Sequence, residues 1–150
     1  MKSRFYTHEQ LVNIAQLNPE DVEQVRRRRR QHNRLGFGYQ LCFVRLTNRF
    51  PTQQPQQPFE LDEDILSFAS MQLDIAAGVI ETYSSRQPTI SEHQEQIREY
   101  LGLRRFGEDA IPEIEKYVFD EACRLEQPSA LLAGIDRYLR EYRQFSPYLL

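Results

Sequence analysis

The 150 residues contain no tryptophan, only two cysteines and only six glycines. Cys42 and Cys123 both stand inside apolar helical patterns, which suits buried free thiols in a reducing compartment. Neither belongs to a Cys-x-x-Cys or Cys/His cluster, so no zinc site is expected. No stretch approaches the roughly 18 apolar residues of a membrane span. The opening MKSRFYTHEQ lacks the apolar centre of a signal peptide. The expectation is a cytoplasmic protein with no membrane partner. Catalytic signatures are missing as well. The three histidines, His8, His32 and His93, have no metal-ligand spacing. There is no Gly-x-Ser-x-Gly, no Walker-type phosphate loop and no His-Glu-x-x-His. These absences favour a binding module without cofactor or metal over an enzyme.

What is present is aromatic and charged. Eight tyrosines and nine phenylalanines with so few glycines indicate a packed helical protein rather than a disordered tail. The net charge of −3 announces no polyanion partner, but its distribution does. Residues 1–50 carry ten Lys and Arg against four Asp and Glu, whereas residues 51–150 carry nine against eighteen. Such asymmetry points to polyanion binding at one end, or to the two halves pairing with each other.

Local signals read as helix throughout. Thr7 and Gln10 have capping-box spacing before a helix to about Gln16. Asn18-Pro19-Glu20-Asp21 starts a second helix, with Val22 and Val25 inward, that runs into the arginines. A third, from Asn33 to Leu46, is apolar nearly all round and so is expected to be buried. Gly36 and Gly38 in it suggest close approach of a neighbouring helix. The Pro/Gln stretch 51–60 is expected to be extended and solvated. It divides a basic part (1–50) from a second helical part (61–150) packed with the first. Further helices are expected from Asp62 to about Gln72, after a cap at Asp74, and from Thr89 or Ser91 to Gly102. Two more follow, one from Asp109 and one around Leu131 to Tyr142. No window alternates like a half-buried strand. The expected fold is all-α, a compact bundle of about seven short helices with a basic three-helix beginning.

The run Arg26, Arg27, Arg28, Arg29 and Arg30 is the sharpest chemical feature. Five adjacent guanidinium groups repel one another, and a phosphate backbone relieves that repulsion while releasing counterions. Helix-end electrostatics and an Arg27–Glu23 pair can occupy some of them. His32, Arg34, Arg45 and Arg49 join the candidate phosphate contacts. Such contacts position a protein on a duplex without reading bases. The apolar third helix cannot serve as a recognition helix. Candidate base readers therefore lie later, at Arg86, Thr89, His93, Gln94, Arg98, Arg104 and Arg105, because Gln and Arg suit adenine and guanine edges. Glu92, Glu95 and Glu99 on the same helix oppose this, and a solvated helix face is the alternative.

Two segments resemble the replicative transposases of the Tn-three family. Leu17-Asn18-Pro19-Glu20-Asp21, the arginines, and Asn33-Arg34-Leu35-Gly36-Phe37-Gly38-Tyr39-Gln40-Leu41-Cys42 match the opening of those proteins. Arg86, Thr89, His93, Tyr100, Leu101, Gly102 and Arg104 match a second segment, and the likeness spans residues 7–145. Pro88, Ile90 and Glu92 stand where the family commonly has basic residues. The resemblance implies an N-terminal DNA-binding region that recognises the transposon's terminal inverted repeats in double-stranded DNA. It also implies that the catalytic acidic triad and its magnesium lie elsewhere in a longer transposase. Partners would be that DNA, the remainder of the transposase, and a second copy in a homodimer. The alternative is a helical interaction module that docks on an acidic protein surface.

Overall fold

Thr7 opens the first helix as its spacing predicts. In the computed structural model of the chain, which describes residues 6–53, 57–103, 115–116 and 118–120, the Gln10 amide donates to the Thr7 hydroxyl at 3.1 Å. The Thr7 amide donates to the Gln10 side chain at 2.9 Å. This capping box begins α1 (His8–Ala15), which buries Leu11 and Ala15. Asn18 and Asp21 make the same reciprocal pair at the start of α2 (Pro19–Arg26), with Pro19 in its first turn.

α3 (Gln31–Thr47) is the centre of the molecule and packs against α1, α2, α4 and α5. Every residue from Leu35 to Val44 is buried. The two glycines explain how four helices reach it. A Cβ on Gly36 would overlap the Tyr83 ring of α5, and one on Gly38 would stand 2.6 Å from Leu73 Cδ1 on α4. The close approach expected of both positions is therefore real, and each serves a different neighbour. Cys42 is buried beside the Ala15 carbonyl, and burial pushes its thiol up to about 12.

α4 (Glu63–Leu73) is capped by the Asp62 carboxylate, which accepts from the Asp64 and Ile65 amides. A 3-10 turn (Ala77–Val79) leads into α5 (Ile80–Ser84), and α6 (Gln87–Leu101) follows. Gly102, at φ 65°, ends α6 with the paired bonds Gly102 N–H to Glu99 and Leu103 N–H to Arg98. That is the Schellman arrangement. Among the described residues the fold is all-α: six α-helices and one 3-10 turn up to Leu101, and the helical residues 115–116 and 118–120. No single described helix is long and apolar enough to cross a membrane.

Three expectations need correction. Asp74 does not cap the helix that follows; at φ 54° it closes α4, its amide bonded to the Ser70 carbonyl. Aspartate tolerates that left-handed backbone better than most residues. α6 begins at Gln87 rather than at Thr89 or Ser91, because Pro88 falls in the first turn, where its missing N–H costs nothing. The ends of the Pro/Gln stretch are not solvated. Pro51 is buried, and Phe59 inserts between the rings of Tyr39 and Tyr83, with centroids 5.9 and 6.0 Å away. The Tyr39 hydroxyl donates to the Glu60 carbonyl at 2.8 Å and accepts from the Asp62 amide at 2.9 Å. Burying a phenylalanine is worth about 1.5–3 kcal/mol, enough to hold a proline-rich segment against the core.

The chain divides into two compact units, Met1–Ile97 and Arg98–Leu150. In the second, residues 115–116 and 118–120 are helical, within the helix expected from Asp109. The rest of that helix, the helix around Leu131 to Tyr142, and Cys123 lie outside the described residues.

Candidate nucleic-acid interface

α2 stops at Arg26, so the five arginines do not share one helix. Arg27 is its C-cap, bonded through its amide to the Glu23 carbonyl, and the Arg28 amide bonds to the Val25 carbonyl at 3.0 Å. Residues 27–30 then turn the chain into α3. Arg30 sits at φ 68°, ψ 147°, a backbone that non-glycine residues rarely adopt. Arg26, Arg27, Arg29 and Arg30 are exposed. Arg27 lies 3.5 Å from Glu23 in a solvent-exposed pair, too weak to withdraw its charge from other partners. α3 has no side-chain cap at its start, which leaves helix-terminal N–H groups facing the same turn. His32 is half-buried at that start. Its pKa is lowered by burial first, then by Arg86 and Arg30. Arg86, exposed ahead of α6, thus adds its field to the arginine turn although 56 residues of sequence separate it from Arg30.

The other candidate cations have internal work. The Arg28 guanidinium lies over the Phe37 ring, 4.1 Å from its centroid, and burial lowers its pKa, with Arg27 adding to the effect. Arg34 donates from Nε to the Arg28 carbonyl at 2.8 Å and from Nη2 to the Arg26 carbonyl at 3.3 Å. Arg45 grips the fully buried carboxylate of Asp21 through both terminal nitrogens, one at 2.8 Å. Arg49 does the same to Glu60 at 2.7 and 2.8 Å, which raises the Arg49 pKa and lowers that of Glu60. Arg45 and Arg49, expected as phosphate contacts, each neutralise an acid of the fold.

The second segment divides in a similar way. His93 is 4% exposed and stacks on Tyr83, with its Nδ1 2.8 Å from the Tyr83 hydroxyl. Gln94 donates to Gln40 Oε1 at 2.9 Å. Gln40, missed as a site residue, donates in turn to the Tyr83 hydroxyl at 2.7 Å. In this arrangement the expected base readers His93 and Gln94 face the core. The signal was available: His93 falls three residues after Ile90 and four before Ile97, and all three are buried. Arg86 is exposed, Thr89 and Arg98 are half-buried, and Arg104 and Arg105 lie outside the described residues. The two segments that carry the family likeness thus meet in one cluster of the buried Gly36, Phe37, Gln40, Tyr83 and His93, with the half-buried Gln94 at its edge. Among the described residues, no three His, Cys, Asp or Glu side chains gather as a metal site.

This is an all-helical domain with a buried central helix and a cationic helix-to-helix turn. The chain belongs to the DUF4158 family, described as a domain of unknown function, whose model matches residues 2–149. It is 27% identical over 143 residues to the transposase for transposon Tn501 of Pseudomonas aeruginosa, covering 95% of this chain and 14% of that protein. Against the transposase for transposon gamma-delta of Escherichia coli it is 33% identical over 100 residues, 66% of this chain and 10% of the relative. Against the transposase for transposon Tn1546 of Enterococcus faecium it is 30% identical over 127 residues, 85% and 12%. The likeness to Tn-three transposases read from the two segments is borne out. The chain spans only 10–14% of the length of these relatives.

Proposed function

We propose that this chain is a DNA-binding region of a transposase that recognises transposon terminal inverted repeats, with the strand-transfer chemistry located elsewhere in the longer protein. The observation that carries the reading is the turn itself. Arg26, Arg27, Arg29 and Arg30 are exposed at the uncapped start of α3, with His32 and Arg86 in the same electrostatic neighbourhood. Guanidinium groups beside helix-terminal N–H groups suit phosphate oxygens. The relatives' transposase activity supports duplex DNA as the source of those phosphates. Base reading then falls to side chains beyond the turn, with Arg86 and Thr89 the candidates at the start of α6.

A mobility-shift titration against an inverted-repeat duplex and a scrambled duplex, over a range of salt, tests this. About four phosphate contacts give a slope of log K against log salt near −4. The inverted repeat is expected to bind more tightly than the scrambled duplex at every salt concentration. Changing Arg27, Arg29 and Arg30 together to Ala is expected to reduce the slope by about 3 and weaken both duplexes alike. Equal wild-type affinity for the two duplexes would defeat the recognition claim, and a salt-independent affinity would defeat the phosphate contacts.

A further inference from the structure

Two of the arginines nearest the exposed set point back into the protein, and their geometry is specific. Arg34, in the first turn of α3, reaches across to the end of α2. Its Nε takes the Arg28 carbonyl at 2.8 Å and its Nη2 takes the Arg26 carbonyl at 3.3 Å. Carbonyls at a helix C-terminus lack intrahelical partners, and one planar guanidinium bridges the last of them in α2, at Arg26, to the Arg28 carbonyl of the turn. The Arg28 side chain is fixed in its turn over Phe37, which is fully buried. Between these two anchors lies Arg30 at φ 68°. Such a backbone persists only where its surroundings over-determine it, and Arg28 and Arg34 are the contacts on either side.

We propose that Arg34 and Arg28 are positioning residues that lock the 27–30 turn, so that Arg27, Arg29 and Arg30 meet DNA phosphates as a preformed set. The proposal rests on the DNA-binding reading of the turn. A locked turn has already lost the conformational freedom that a loose one loses on binding, so the lock raises affinity without touching the ligand. Lysine cannot replace Arg34, because a single ammonium lacks the planar fork that spans two carbonyls.

The test compares wild type, Arg29→Ala, Arg34→Ala, Arg34→Lys and Arg28→Ala on the inverted-repeat duplex across salt. Amide hydrogen exchange of residues 27–31 is measured on the same proteins without DNA. Arg29→Ala is expected to lower the salt slope by about 0.9 and leave exchange unchanged. Arg34→Ala and Arg28→Ala are expected to weaken binding about tenfold at fixed salt, keep the slope within about 0.3 of wild type, and speed exchange of the turn amides about tenfold. Arg34→Lys is expected to behave as Arg34→Ala. If Arg34→Ala instead loses slope as Arg29→Ala does, with turn exchange unchanged, Arg34 is a phosphate contact and the proposal is overturned. If wild type binds no duplex, the DNA reading fails on its own account. Exchange then still decides the lock: unchanged turn amides in Arg34→Ala overturn it, and faster ones support it.

Discussion

Gln40 on α3 donates from Nε2 to the Tyr83 hydroxyl on α5 at 2.7 Å, and both side chains are fully buried. The same hydroxyl meets His93 Nδ1 at 2.8 Å, so a single oxygen joins α3, α5 and α6. A buried polar group that loses its partner costs about 1–3 kcal/mol. Tyr83→Phe, which keeps the ring and removes the oxygen, is expected to destabilise the protein by about 2–3 kcal/mol in urea unfolding. Far-UV circular dichroism is the probe, since the chain has no tryptophan. The glycines beneath the cluster separate two kinds of close approach. Gly36→Ala drives a methyl into the Tyr83 ring, which is fully buried, and is expected to cost about 3 kcal/mol. Gly38→Ala crowds the end of the Leu73 side chain and makes an ordinary contact with Val25. There a helix-propensity gain of about 1 kcal/mol offsets the crowding, so the expected change stays within about 1 kcal/mol. Equal costs at the two positions would contradict this account of the packing.

His93 gives the cluster a pH dependence with a definite sign. Its pKa is lowered from 6.5 to about 4, by burial first and then by the Arg28 charge. With the Tyr83 hydroxyl accepting from Gln40, its own proton is available to donate to Nδ1, which assigns the neutral ring its proton on Nε2. As pH falls below 6.5 the unfolded chain takes up a proton before the folded one does. Stability is therefore full above 6.5 and declines as pH drops toward about 4, by about 1.4 kcal/mol per unit. The pKa of His32 is also lowered, so it acts in the same direction. The comparison is consequently with His93→Gln, which keeps the His32 contribution and every other one. Between about pH 7.5 and 5, wild type is expected to lose about 2 kcal/mol more than His93→Gln does. Parallel pH profiles would mean that His93 can protonate in place.

Much of this was readable in the sequence, and the misses share a cause. Caps are local, and Thr7, Asn18 and Gly102 act where their spacing put them. The burial of α3 follows from a run that is apolar nearly all round, and its glycines announce the neighbours they admit. What spacing along one segment does not carry is the identity of a partner far away. Arg45 looks like a phosphate contact until Asp21, 24 residues away, is seen beneath it. Gln94 looks like a base reader until the Gln40 carbonyl oxygen, 54 residues away, is seen to accept its hydrogen bond. Phe59 sits in a composition that argues for solvent, and its ring contacts with Tyr39 and Tyr83 outweigh that composition. The arginine turn was found as a charge cluster, but its division into outward and inward cations depends on where α2 ends. Helix ends are where hydrogen bonds to distant groups decide the outcome.

Arg30 sets stability against binding at a single position. Its φ of 68° with ψ of 147° is strained for any residue with a Cβ, at a cost of about 1–3 kcal/mol. Glycine removes that strain but loses up to about 1 kcal/mol through its freer unfolded state. Arg30→Gly is therefore expected to stabilise the fold by about 1 kcal/mol, which raises the thermal midpoint by about 4–8 °C for a unit of this size. Arg30→Ala keeps the strain and removes the same charge. Both variants are expected to lower the salt slope of DNA binding by about 0.9, and only the glycine variant gains stability. Melting curves and salt titrations of the pair separate the two effects. A glycine variant no more stable than the alanine variant would show that the turn carries no strain at Arg30. An unchanged slope in both would remove Arg30 from the phosphate-contacting set.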